Sequence, residues 1–248
     1  MADPKIPPPA SRASPPAAMP RDAPQPALRR KPEGTPTADA RSDGALPLSR
    51  ARIAASAVAL ARRDGVDALT MRQLAAALEA GTMSLYRHVK DRQDLLIAML
   101  DHVAQAIAIP PPLPDARRDI AQLMLALHRA FRSDPWVVGV LLDEGLASRH
   151  IMPLLERVFS ALDRLGVTGT AALQAYGLLI HYSYGESLAH ATAAKRQPMA
   201  AAFRRLASEA YPASARAFAA ATGWPRQDYT ANIDRILVAI GRPDPDGR

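Results

Sequence analysis

The stretch AGTMSLYRHVKDRQDLL, residues 80–96, gathers Thr82, Ser84, Tyr86, Arg87, His88 and Lys90 within nine positions and then breaks into an apolar helical pattern. Such a set offers short hydroxyl donors, an aromatic ring and cations to a groove lined by phosphates. Within 82–90, Leu85 and Val89 stand four apart and would face inward on a short helix over about 82–88. Thr82, Met83, Ser84, Tyr86, Arg87 and His88 are then left outward or at the helix ends. Short residues at the front suit a helix pushed end-on into the major groove, where base edges specify sequence. Tyr86 and Lys90 can reach backbone phosphates, which position a protein without reading sequence. Arg72, ten residues before Thr82, could meet a guanine edge or a phosphate. The same residues also suit a plain helical hairpin with a solvated polar face.

These side chains need a support. From Ser49 onward the pattern is helical, without convincing two-residue alternation. Ile53, Ala57, Leu60 and Ala61 share one face, and Gly65 stands just past that helix as a stop. Thr70 followed by Gln73 has the form of a capping box. Leu74, Ala75 and Leu78 give the next helix an inner face, and residues 79–81 make a tight turn. Asp91 caps a longer helix with Leu95, Leu96, Met99 and Val103 inward. Residues 49–108 therefore predict four helices, the second and third joined by a short turn containing Gly81. The run PPPLP, residues 110–114, ends the fourth helix and marks a boundary.

Beyond it the chain reads as all-α. Helices are expected over a stripe from Ile120 to Phe131, after Pro135, over Leu155–Leu165, over 169–194, over 198–209 and 213–222, and over 229–241. Residues 1–47 differ. They hold 12 of the 23 prolines and no aromatic residue, too little apolar area to offset the entropy of ordering. Arg29, Arg30 and Lys31 are their most basic point, either a solvated tail or an arm lying along DNA.

Composition narrows the alternatives. The chain has 248 residues, 48% of them hydrophobic, and no cysteine, which excludes disulfides and cysteine-bound zinc. No apolar run is long enough for a membrane span, and the start lacks the apolar stretch of a signal peptide, so a cytoplasmic protein is expected. The net charge of +7 permits a nucleic-acid partner without locating it, since the excess is spread along the chain. Glu186 and His190, at i and i+4, could bind metal on one helix face. No second such pair, phosphate loop or nucleophile motif accompanies them, so a Glu186–His190 salt bridge is expected, with no metal, cofactor or catalytic residue.

Residues 48–103 resemble the N-terminal DNA-binding domain of the TetR family of bacterial repressors. The marks are DGVDALTMRQLA followed by AGTMSLYRHVKDRQDLL, in order and at the family's spacing. The resemblance implies that Thr70 caps the support helix and touches phosphate, and that Arg72 lies near base or phosphate. Thr82, Met83 and Ser84 would face base edges. Tyr86 and His88 would meet the backbone, Lys90 would pair with a phosphate, and Arg87 would help set base preference. Glu79 departs from the family, many members of which carry glycine there.

The resemblance further implies an Ω-shaped homodimer. Residues 48–108 would bind operator DNA, 115–241 would bind a small molecule and dimerise, and 242–248 would be a tail. The helices over 169–194 and 229–241 would pair with their mates as a four-helix bundle. Gly177 and Gly185, eight apart, and Ala175, Ala189, Ala191 and Ala193 offer small surface for this, or for ordinary core packing. The effector pocket is expected among Met124, Leu127, His128, Phe131, Trp136, Met152, Phe159, Tyr176, Ile180, His181 and Tyr184, which together would suit a flat hydrophobic or aromatic ligand, although any one of them also suits plain core. A regulator released from its operator by that ligand is expected. The alternative is a small-molecule-binding helical protein or enzyme with a vestigial helix-turn-helix.

Overall fold

The computed structural model describes residues 47–207, 210–220 and 228–240, except for the side chains of 194–198. The basic point Arg29, Arg30 and Lys31 and the tail 242–248 lie outside the described residues. So do the last two positions of the helix expected over 213–222. The described residues are helical, with no strand among them, and belong to one unit.

Four helices form the first part: α1 (Arg50–Asp64), α2 (Met71–Ala77), α3 (Thr82–Tyr86) and α4 (Arg92–Gln105). Local chemistry sets their ends. Ser49 caps α1 by accepting the Arg52 amide at 3.2 Å, and Gly65 ends it at φ +88°. Thr70 accepts the Gln73 amide at 3.2 Å while Gln73 Oε1 accepts the Thr70 amide at 3.0 Å, so the capping box is complete. Asp91 caps α4 through the Asp94 amide at 2.8 Å. Ile53, Leu74, Leu85, Val89, Leu96 and Met99 are all buried to within 1% and hold the four helices together. Each such side chain contributes roughly 1.5–3 kcal/mol.

The rest comprises α5 (Ala116–Ser133), α6 (Trp136–Asp143), a 3-10 turn (Arg149–Ile151), α7 (Met152–Arg164), α8 (Gly169–Ala191), α9 (Ala193–Leu206), α10 (Pro212–Ala219) and α11 (Tyr229–Ile240). Helix α5 is the centre, packed against α7, α8 and α11. Ile120, Leu123 and Met124 meet Leu154, Val158, Leu162, Leu179 and Ile233 in one apolar core.

The proline run between α4 and α5 is held down at several points. Asp119, a buried carboxylate, accepts the Leu113 amide at 3.1 Å, Gln122 at 2.8 Å, Arg157 at 2.5 Å and Arg164 at 2.9 Å. Arg157 also donates to the Pro110 carbonyl, and Arg164 to those of Leu113 and Pro114. Burial alone would push the Asp119 carboxyl up, but these donors outweigh it and hold it below the usual carboxylate range.

Candidate nucleic-acid interface and effector cavity

Helix α3 is shorter than the sequence pattern suggests, ending at Tyr86 rather than 88. The His88 carbonyl is instead taken by Arg50 Nη1 at 3.0 Å, which fixes the chain as it leaves the helix. Leu85 and Val89 are 0% exposed and dock α3 on its support. The outward side carries Met83 at 78% exposure and Tyr86 at 47%. Thr82, Arg87 and Lys90 are exposed with them, and Ser84 and His88 are half-buried. Arg87 Nη2 donates to Ser84 Oγ at 3.1 Å, which lays the guanidinium back along the helix. Thr70 and Arg72 are exposed on the α2 side, so among the described residues expected to meet DNA all but half-buried Ser84 and His88 are exposed. The Thr70 hydroxyl is engaged by Gln73 Oε1 at 2.8 Å.

The turn before α3 differs in one detail from a glycine turn. Gly81 has an ordinary φ of −73°, whereas Glu79 takes the left-handed conformation at φ +52°, alone among the described non-glycine residues.

A mostly apolar cavity of about 170 Å³ lies behind α4. Leu127, Phe131, Tyr176, Ile180 and Tyr184, five of the eleven residues expected to form a pocket, line it. Sequence reasoning missed the wall that α4 supplies with Leu100, Val103, Ala104 and Ile107, and the one from α6 with Val137 and Leu141. The inward Val103 was legible on α4, but which partner its face meets was not. Burial pushes the Tyr176 phenol up to about 12, with Tyr184 adding to the shift, and raises Tyr184 as well. Both phenols are therefore held neutral to higher pH than an exposed tyrosine.

The other six residues do not line this cavity. Met124 is sealed in the core, its carbonyl accepting the Tyr229 hydroxyl at 3.0 Å. His128 turns away to Glu186 Oε2, 2.5 Å from its Nε2, and stacks on Tyr229 with ring centroids 3.8 Å apart. Burial lowers the His128 pKa despite Glu186. This pair replaces the expected Glu186–His190 bridge: His190 accepts from Arg132 at 2.7 Å instead. Trp136 donates to Asp134 at 3.0 Å, and Met152 is 56% exposed. Phe159 packs on Tyr176 at 5.4 Å and borders a separate depression between α7 and α8. His181 is exposed in a groove with Leu178, Tyr182, Ile236 and Ile240.

A short outward helix of polar and small residues, seated by two buried aliphatics on a capped support helix, defines a helix-turn-helix protein that regulates transcription by binding DNA. Residues 53–99 match the family described as bacterial regulatory proteins, tetR family. An HTH-type transcriptional regulator of Saccharopolyspora erythraea is 32% identical over 172 residues, covering 67% of this chain and 71% of that protein. The HTH-type transcriptional repressor DrrR1 of Streptomyces coeruleorubidus is 32% identical over 121 residues, 47% of this chain and 44% of that one. The fold is shared with ActR of Streptomyces coelicolor, at 23% identity, TM-score 0.69, 79% of this chain and 95% of that one. ActR has also been solved in complex with actinorhodin. The chain belongs to the TetR family.

Proposed function

We propose that the protein is a homodimeric repressor that reads a two-fold operator through residues 82–90 and is released by a small apolar ligand in the cavity behind α4. Residues 48–108 are the DNA-binding part and 115–241 the effector and dimerisation part. Thr82, Met83 and Ser84 face base edges, with Arg87 tuning base choice. Thr70, Arg72, Tyr86, His88 and Lys90 hold the backbone. The observation that carries this is the sidedness of residues 82–90, with Leu85 and Val89 sealed and Met83 and Tyr86 in solvent.

The cavity's apolar lining and neutral phenols favour an uncharged ligand of one or two rings, since an engineered apolar cavity of about 150 Å³ holds benzene. DrrR1, a repressor by name, and ActR, which binds actinorhodin, are consistent with repression and with release by a small molecule. Ligand would favour a conformer whose two reading helices no longer match the half-site separation. No described helix is long and apolar enough to cross a membrane, and a DNA-binding role is consistent with a cytoplasmic protein.

A gel shift with the DNA upstream of its own gene tests the reading. Retardation by the native chain, lost in Tyr86→Ala and Lys90→Ala, is expected. Turnover of a small molecule with no retardation of any DNA would favour the enzyme instead. Against a metal site at Glu186 and His190, Glu186 is already committed to His128.

A further inference from the structure

We infer that Asp134 is a positioning residue through which the cavity acts on α1, and so on the reading surface, by a route that does not run through α4. This rests on the cavity being the effector site. Asp134 stands at the corner between α5 and α6 and is 2% exposed. Ala130 and Phe131, just before it, and Val137 and Leu141, just after it, all line the cavity. Its carboxylate leaves this part of the fold to meet α1: Arg62 Nε lies 2.7 Å from Oδ1 and Arg62 Nη2 lies 2.7 Å from Oδ2. Trp136 Nε1, on the first turn of α6, donates to Oδ1 at 3.0 Å.

A planar two-point pair of this kind transmits orientation as well as position. If α6 rotates relative to α5, the pair is strained unless α1 or the Arg62 side chain follows. Helix α1 can carry such a movement. Arg62 is in its last turn, and Arg50 in its first turn grips the His88 carbonyl and Asp94. Twelve residues separate the two arginines, about 18 Å of rigid helix at ~1.5 Å per residue. The chain of contacts therefore runs from cavity wall to Asp134, to Arg62, along α1, to Arg50, and to the exit of α3. Only the Asp134 end is sealed, the Arg62 side chain being 53% exposed, and a half-exposed ion pair adds little net stability, so a role in fixing geometry accounts better for the sealed carboxylate.

The test needs no knowledge of the natural effector. Ala130→Phe places a ring in the cavity as a fixed occupant. Arg62→Met with Asp134→Asn removes the charged strut while leaving Trp136 an acceptor. Operator affinity of the full chain is measured by fluorescence anisotropy, on a duplex selected from random DNA, for the native chain, each change and their combination. The expected result is a rise of about tenfold in Kd from Ala130→Phe in the native background, and threefold or less in the strut-free one. An equal rise in both backgrounds overturns the assignment and points to the α4 residues that line the cavity directly, Leu100, Val103 and Ala104. If Ala130→Phe changes nothing even in the native background while operator binding persists, the cavity is uncoupled from DNA, and the effector reading falls together with this inference. Val137→Phe serves as the second occupant should Ala130→Phe lose a cooperative melting transition.

Discussion

Arg50 closes on Asp94 across 44 residues of sequence, with Nη2 2.6 Å from Oδ1 and Nη1 2.9 Å from Oδ2, and the same guanidinium holds the His88 carbonyl at 3.0 Å. One side chain thus joins the first turn of α1, the exit of α3 and the start of α4. Asp94 also accepts the Lys90 amide at 2.9 Å, so the backbone beside the proposed phosphate contact is fixed by the same carboxylate.

The Arg50 hydrogen bonds, against an opposing effect of burial, hold the Asp94 carboxyl at about 2, below its ordinary 3.8. A depressed carboxylate pKa means the pair stabilises the fold fully above about 3.8 and loses that contribution as pH falls toward 2. Both groups are partly exposed, so screening limits the effect to about 1 kcal/mol. Asp94→Asn should lower the melting temperature at pH 7 by a few degrees and by clearly less at pH 2, where Asp94 is about half protonated. An equal deficit at both values would mean that the charge pair contributes nothing beyond packing. The variant should also bind operator less tightly, because Arg50, which holds the His88 carbonyl, and the Lys90 amide both lose their charged partner.

Glu79 carries a left-handed φ of +52° that costs a side chain roughly 1–2 kcal/mol and costs glycine almost nothing. Glu79 is exposed, so its side chain gives up little packing. Glu79→Gly should stabilise the chain by about 0.5–1 kcal/mol, less than the full strain because glycine also loosens the unfolded chain. Chemical denaturation of the two proteins measures it. A destabilised variant would show that Glu79 makes a compensating contact.

Those elements whose cause is local were legible in the sequence. The Thr70–Gln73 box, the Asp91 cap, the Gly65 stop and the inward pair Leu85 and Val89 all depend on neighbours within four residues. The ends of α3 and the cavity depend on distant ones. Arg50 intercepts the His88 carbonyl from 38 residues away. Along α5, Leu127 and His128 differ by one position, yet one lines the cavity and the other meets Glu186 58 residues on. Periodicity says that both lie near a buried face. Which neighbour each meets follows from how α4, α6 and α8 arrange themselves around α5.

If Arg29, Arg30 and Lys31 form an arm on DNA, their contacts release counterions. Removing residues 1–44 should then weaken operator binding and flatten the plot of log Kd against log salt by about two to three contacts' worth, at ~0.9 per phosphate. The duplex and temperature must be held fixed in both titrations. An unchanged slope at reduced affinity would assign the segment to some role other than phosphate contact.

On α8, Leu178, His181, Gly185 and Leu188 fall three, four and three residues apart, on one stripe, and all four are exposed. Ile236 and Ile240 of α11 border the same groove. A Cβ added at Gly185 would meet no atom within 4 Å in the single chain. Nothing among the described residues therefore requires glycine there, and in a helix interior it costs about 1 kcal/mol relative to alanine. A second copy laid against this stripe would account for it, because close approach of two helices leaves no room for a side chain. Gly185→Leu separates the two possibilities. If α8 is the interface, the variant should keep its helical circular dichroism, sediment as a monomer at concentrations where the native chain is a dimer, and lose most of its operator affinity, since one half-site alone binds weakly. A Gly185→Leu protein that remains dimeric and binds operator normally would place the interface elsewhere on the molecule.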